Sequence, residues 1–249
     1  MLLAIDIGNT NITVGIFKGA GLLGRVKIPT NSYSSYIRQI KKLVRSAGLS
    51  VDRIDETVVS SVVPLALARL IVELHRMSIF TITILGKDGV VPIRNLYRVK
   101  KEVGQDRLVN AYAAKALYGA PAIIVDFGTA ITFDIVSRKG DYLGGLILPG
   151  IELSLLSLYR NTALLPKVGL KAARSIIGKD TVNSMRGGIL FGFGAMCDGL
   201  VAQYRKILGR SAKVIATGGN APLMKRYAKS IQMVDEDLTL KGLQLILVK

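Results

Sequence analysis

Two aspartates, Asp6 and Asp126, each stand near the end of an apolar run and are followed after one residue by glycine. Residues 2–17 read LLAIDIGNTNITVGIF and residues 122–136 read AIIVDFGTAITFDIV. A carboxylate ending a buried strand is costly without a partner. A hydrated Mg²⁺ is a natural one, because in nucleotide sites that ion takes one or two carboxylates together with phosphates. Gly8 and Gly128 remove bulk and permit positive φ, while Asn9, Thr10, Asn11 and, in the second copy, Thr129 add amide and hydroxyl donors. Concave, donor-rich segments of this kind bind anions. Read once, the phrase is also an ordinary hairpin turn, which Asn, Asp and Gly dominate. Read twice in matching contexts, it points to phosphate binding by a duplicated domain, with a loop from each half facing a common cleft.

A third glycine element, Thr217-Gly218-Gly219, lies between the strand-like KVIA and a helix expected over PLMKRYAKS. Glycine is routine between strand and helix, but beside the two phosphate phrases it fits an adenosine site. Between the halves, helical periodicity starts near Asp106 and runs through Leu108, Tyr112, Ala116 and Leu117 to Gly119. Asp106 is thus expected in the first turn of a helix, pointing into the cleft, where amide dipoles favour the ionised carboxylate. Phosphoryl transfer to an alcohol needs a carboxylate there to accept the hydroxyl proton. Arg107 suits either a substrate carboxylate or the migrating phosphoryl group. Helix N-terminal aspartates also serve as plain caps, and this segment alone leaves both readings open.

The elements that must position these residues follow from the rest of the chain. Three apolar segments, 2–8, 12–17 and 22–28, form an expected meander. A helix follows with Ile37, Ile40, Val44 and Ala47 on one face and a stop at Gly48. A strand over 56–63 ends at Pro64, residues 65–77 read as helix, and TITILG reads as another strand. The second half repeats the plan: AIIVDF, ITFDIV and DYLGGLIL, a helix over 151–165, a long helical stretch at about 188–208, the strand KVIA, and a closing element LTLKGLQLILVK. The reading is α/β, with domains at 1–117 and 118–249.

With 249 residues, half of them hydrophobic, the chain has material for a well-filled core. No apolar run reaches the roughly 18 residues expected of a membrane span, and Asp198 breaks the best candidate. One cysteine, Cys197, excludes an internal disulfide, so the expectation is a reducing, cytoplasmic setting. The formal net charge is +17. It reads as a solvated basic surface, as attraction for anionic ligands, or as a nucleic-acid footprint; the last lacks a recognition signature and is not expected. His75, the only histidine, has no ligating companions and reads as a helix-face residue; Cys197 reads as a small buried hydrophobe.

Asp-Ile-Gly-Asn-Thr at 6–10, Gly-Gln-Asp-Arg at 104–107, Asp-Phe-Gly-Thr-Ala at 126–130, Gly-Gly-x-Ile-x-Pro-Gly at 144–150, Thr-Gly-Gly at 217–219 and Asp-Leu-Thr-Leu-x-Gly-Leu at 237–243 occur in this order. Together they resemble the type III pantothenate kinases, over the whole chain. The β-β-β-α-β-α-β order likewise resembles the duplicated ribonuclease H-like domain of actin, Hsp70 and sugar kinases, with a nucleotide cleft between the copies. The resemblance implies transfer of the ATP γ-phosphoryl group to the primary hydroxyl of pantothenate, the first step of coenzyme A synthesis. It implies Asp106 as general base, with Gly104, Gln105, Asp106, Arg107, Tyr97 and Thr181 holding pantothenate. ATP falls to Asp6, Ile7, Gly8, Asn9, Thr10, Asn11, Ile12 and Thr13, with Thr129, Gly218 and Gly219. Asp126 is expected to hold a monovalent cation, K⁺ or NH₄⁺, and Asp6 to reach Mg²⁺ through water. A homodimer without membrane attachment is implied.

Two departures from the family pattern stand out. Val99-Lys100 replaces a common Asn-Pro whose proline would stiffen the approach to the helix, and Arg186-Gly187 stands where Gln and then Ser or Ala are usual. Other readings of the chain are a kinase-fold regulatory or nucleic-acid-associated factor, and a kinase of another small hydroxylated acceptor.

Overall fold

The computed structural model describes residues 1–247; Val248 and Lys249, the end of the expected closing element, lie outside the described residues. The chain divides into two compact units, Met1–Ala113 joined by the segment from Leu238, and Ala114–Asp237.

In the first unit, β1 (Leu2–Ile7) pairs antiparallel with β2 (Asn11–Lys18) and parallel with β4 (Glu56–Ser61). β3 (Gly21–Pro29) lies outside β2 and β5 (Ile82–Ile84) outside β4, giving the order β3-β2-β1-β4-β5. The central strand is covered on both faces and is therefore almost continuously apolar, whereas the edge strand β3 alternates exposed and half-buried positions. α1 (Tyr36–Ser46) stops before Gly48, which takes φ +71°. Its buried stripe is Tyr36, Ile40, Leu43 and Val44, turned from the expected one; Ile37 and Ala47 are only half-buried. Gly24 of β3 explains the turn, since a Cβ there would stand 3.2 Å from Leu43 Cδ1. α2 (Pro64–Arg76) opens with proline at a first-turn position that needs no N–H partner.

α3 (Gln105–Tyr118) carries the expected helix, but its packing differs from the expected stripe. Val109, Ala111, Ala113 and Ala114 are fully buried, while Ala116 and Leu117 are exposed. α7 (Leu238–Leu247) decides this, because Gly242 brings its backbone onto α3: a Cβ would fall 2.7 Å from Val109 Cγ1 and 3.0 Å from Ala113 Cβ. The Thr239 hydroxyl bonds Asn110 Oδ1 at 2.7 Å and Gln244 Nε2 donates to the Gly19 carbonyl at 3.2 Å. The C-terminal helix thus belongs to the first unit, where the 118–249 division had grouped it with the second. The boundary falls inside α3, between Ala113 and Ala114.

The second unit repeats the first strand for strand. β6 (Ala122–Phe127), β7 (Ala130–Val136), β8 (Tyr142–Pro149), β9 (Lys213–Thr217) and β10 (Met233–Val234) are ordered β10-β9-β6-β7-β8. The meander is antiparallel and β9 runs parallel to β6. Even the register irregularity recurs, at Ile16/Phe17 in β2 and at Ile135/Val136 in β7.

The helices deviate where side chains intervene. α4 (Ile151–Arg160) ends well short of residue 165, with Asn161 Nδ2 donating to the Ser157 carbonyl at 2.9 Å. α5 (Thr181–Leu208) starts earlier than expected because Asp180 caps it, accepting the Asn183 N–H at 2.8 Å. α6 (Ala221–Met224) is a single turn instead of the helix expected over PLMKRYAKS, since Asp198 draws the Lys229 and Ser230 amides to itself at 3.1 and 2.7 Å. α5 has the length and composition to cross a membrane. Its Leu190, Cys197 and Val201 nevertheless belong to the hydrophobic core of the second unit. Gly194 lies so close to Tyr227 that a Cβ would meet its carbonyl oxygen at 2.4 Å.

Candidate active site

The two acidic phrases occupy equivalent places. Asp6 sits near the end of β1, in register with Thr13 on β2 and Ser60 on β4. Asp126 sits likewise on β6, opposite Thr132 on β7 and Thr217 on β9. Each carboxylate is therefore flanked by a hydroxyl residue on both neighbouring strands. Ser60 and Thr132, and the place of Thr217 beside Asp126, are not legible in the sequence, because their pairing with the aspartates exists only once the strands are in register.

The loops differ by one residue: Ile7 pairs with Ile12 but Phe127 with Ile131. The Gly8 amide donates to the Asn11 carbonyl at 3.0 Å and the Gly128 amide to the Ala130 carbonyl at 3.1 Å. Asn9, Thr10, Asn11 and Thr129 are exposed. Neither Gly8 nor Gly128 adopts positive φ, contrary to the role expected of them. Close approach is what both positions require: a Cβ on Gly8 would lie 3.2 Å from the Asn11 carbonyl oxygen, and one on Gly128 3.3 Å from Asp126 Oδ1.

Positive φ appears instead at Gly218, at +88°. Its missing Cβ leaves space that the protein itself fills: that atom would stand 2.3 Å from Asp126 Oδ1 and 2.7 Å from the Phe127 carbonyl carbon. The Asn220 amide donates to the Phe127 carbonyl at 3.2 Å. Gly150, at the head of α4, closes the other side of the loop, its N–H donating to the Thr129 carbonyl at 3.1 Å. The second unit therefore gathers Asp126, Gly128, Thr129, Gly150 and Gly218 at one strand end. Gly219 beside them is exposed.

Asp106 occupies the first turn of α3, as expected, with Oδ1 accepting the Arg107 N–H at 2.9 Å. Burial pushes its carboxyl above the ordinary aspartate range, against the opposing pull of the Arg107 amide and guanidinium. Gly104 makes the room: a Cβ there would stand 2.3 Å from Asp106 Oδ1. Gln105 packs against Gly86, which takes φ +85° and whose Cβ would lie 3.0 Å from Gln105 Nε2. Gly86 was visible only as the end of a strand. Arg107 is buried, at 7 % exposure.

Tyr97 is half-buried in the first unit, where its N–H donates to Asn95 Oδ1 at 2.9 Å. Thr181, in the second unit, is the exposed first residue of α5. Val99 precedes a short 3₁₀ turn at Lys100–Glu102. Arg186 reaches back to the Gly169 carbonyl at 3.0 Å, and Gly187 is buried, so both unusual residues tie the irregular 162–180 segment to α5. His75 is an exposed helix residue stacked 5.5 Å from Phe80. Cys197 is fully buried, its thiol pushed up to about 11 by desolvation.

Among the described residues no group of three or more His, Cys, Asp and Glu side chains is placed to hold a metal ion. A divalent ion here would rest on single carboxylates, water and phosphate oxygens, a donor set that suits Mg²⁺.

A sequence profile of the type III pantothenate kinases matches residues 2–203. Type III pantothenate kinase of Anaeromyxobacter dehalogenans is 42% identical, the match covering 99% of this chain and 98% of the relative. That of Myxococcus xanthus is 41% identical, covering 99% and 97%. In fold, the chain is similar to the inorganic polyphosphate/ATP-glucomannokinase of Arthrobacter sp. strain KM. That match has a TM-score of 0.50 at 14% identity and covers 98% of this chain and 96% of the other. The duplicated 3-2-1-4-5 sheet is the actin-like ATPase fold of such kinases, and the chain belongs to the type III pantothenate kinase family.

Proposed function

We propose that Asp106 is the general base with which this enzyme, an ATP-dependent kinase of coenzyme A synthesis, phosphorylates pantothenate. The observation that carries the reading is the desolvated Asp106 carboxylate, seated in the space that Gly104 leaves at the head of α3. The primary hydroxyl of pantothenate attacks the γ-phosphorus of ATP, and its proton passes to Asp106 as the bond to the β–γ bridging oxygen breaks. A carboxyl raised toward the working pH is a better proton acceptor than an ordinary aspartate, provided it is still ionised there. Gln105, Arg107 and Tyr97 are assigned to the acceptor beside it, and Thr181 is assigned to the same ligand.

ATP comes with a divalent metal. We assign its phosphates to residues 6–13 and to Thr129, and its nucleoside to Gly218 and Gly219. Asp6 suits a hydrated Mg²⁺, with the Thr13 and Ser60 hydroxyls on either side. Asp126, enclosed by Gly218 and the Phe127 backbone, offers an oxygen donor suited to K⁺ or NH₄⁺. These ions supply charge cover for the phosphates. A homodimer is the assembly this reading expects. Exposed apolar side chains of the second unit support it, among them Ile147, Leu153, Tyr159 and Leu164.

The test is ADP release from ATP and Mg²⁺, with and without pantothenate, in K⁺ and in Na⁺ buffers. Pantothenate-dependent release that K⁺ stimulates is expected. Release with another hydroxylated acceptor but not with pantothenate would move the assignment to that acceptor.

A further inference from the structure

The loop after β1 is held from behind by residues that neither phosphate phrase contains. Thr30, the first residue after β3, donates its hydroxyl to the Gly8 carbonyl at 2.7 Å and its N–H to the Thr10 carbonyl at 2.9 Å. Its own carbonyl accepts the hydroxyl of Tyr36, the first residue of α1. Thr30 is 5 % exposed and Tyr36 is wholly buried, so none of these bonds is traded cheaply for water. The Tyr36 ring is kept in place edge-on by Tyr33, with centroids 5.8 Å apart, and Arg69 lies 4.3 Å over the Tyr33 ring.

The consequence lies in the direction of the peptide groups. With the Asn11 carbonyl taken by Gly8 N–H, the carbonyls of Gly8, Thr10 and Asn11 all accept from donors within the protein. In a planar trans peptide the N–H points opposite to the C=O. Holding the Gly8 and Thr10 carbonyls toward Thr30 therefore turns the Asn9 and Asn11 N–H groups away from it. A loop that binds phosphate needs this polarity, because a carbonyl swung toward the anion would repel it. Gly150 does the same in the second unit by taking the Thr129 carbonyl.

We infer that Thr30 and Tyr36 are positioning residues for ATP: they fix the peptide orientation of the first phosphate loop without touching the nucleotide. The inference rests on the assignment of residues 6–13 to the ATP phosphates. A residue of this kind preserves binding shared by ground and transition states, so its loss raises KM and spares kcat.

The experiment measures kcat and KM for ATP at saturating pantothenate on the full chain. Thr30→Val keeps shape and removes the hydroxyl; it is expected to raise KM about tenfold, with kcat within about twofold, the size of effect of one lost buried hydrogen bond. Thr30→Ser restores the donor and should return KM to near the wild-type value. Tyr36→Phe should raise KM about threefold. A wild-type KM in Thr30→Val, or equal losses in the Val and Ser variants, overturns the inference. If Thr30→Val fails to fold by circular dichroism, Tyr36→Phe and Thr30→Ser decide it: a raised KM in the first beside a near-normal one in the second supports it, and any other pattern overturns it. Asn9→Asp, which sets a negative charge on the exposed loop, separates this failure from failure of the loop assignment. If Asn9→Asp leaves KM for ATP unchanged, the loop assignment falls and takes the inference with it. If Asn9→Asp raises KM while Thr30→Val does not, the positioning role alone falls.

Discussion

Asp106 carries two roles that oppose one another. A carboxyl whose folded pKa is raised binds its proton more tightly in the fold than in the unfolded chain. The stability it contributes is then fully present below the unfolded value of about 3.9 and is lost as pH rises through the folded pKa. At neutral pH the ionised carboxylate strains the fold it serves. Asp106→Asn is accordingly expected to lower kcat by about 10²- to 10⁴-fold while leaving ATP binding intact and raising Tm at pH 7. Turnover assays and a thermal melt read both effects; full activity in the variant would remove Asp106 as base. In the wild type, turnover should rise with pH through a pKa above the ordinary aspartate range, and a pH–rate profile checks that sign. The position of Asp106 was legible from helical spacing. Its desolvation was not, because burial depends on which distant segments pack around the carboxyl, and spacing does not encode that.

At the scale of elements, glycine marks where segments must nearly touch. Gly218 joins β9 to α6 with φ +88° and lies against Asp126 and the Phe127 backbone. Gly218→Ala is expected to destabilise the enzyme by about 1–3 kcal/mol, since strain and steric overlap act together, and to weaken K⁺ stimulation by displacing the Asp126 carboxylate. Urea unfolding and the K⁺ dependence of ADP release measure the two consequences. The protein itself occupies the space where a Gly218 Cβ would point, so the nucleoside contact assigned to Gly218 is with its backbone. The unusual Arg186 finds its account here too, as a donor to the Gly169 carbonyl that holds the irregular segment against α5.

At the scale of the whole molecule, duplication and its one asymmetry matter most. Both units build the same five-stranded sheet, but only the first takes in a helix from the far end of the chain. Leu243 of α7 is fully buried although it lies near the C-terminus. Leu243→Ala is expected to cost about 2–5 kcal/mol, the usual range for such a cavity. The loss should appear in the first unit, so hydrogen exchange of β1 and β4 should accelerate while that of β6 and β9 stays near wild type. Equal acceleration in both sheets would show that the helix supports the molecule in general.

Local chemistry was readable in the amino-acid order. Apolar runs split by Asp-x-Gly phrases and short polar turns identify both meanders, their aspartates and the duplicated strand order, because strand period, turn residues and burial on a central strand are properties of short segments. The Gly-Gln-Asp-Arg element and its place at the head of α3 were readable for the same reason. What the tertiary structure alone decided joins residues distant in sequence: Thr30 and Tyr36 behind the Gly8 loop, Gly218 over Asp126, Gly86 beneath Gln105, and α7 beside α3. Each depends on which backbones come within a few ångströms of one another, and that is set by register and packing, which no local pattern of residue types contains.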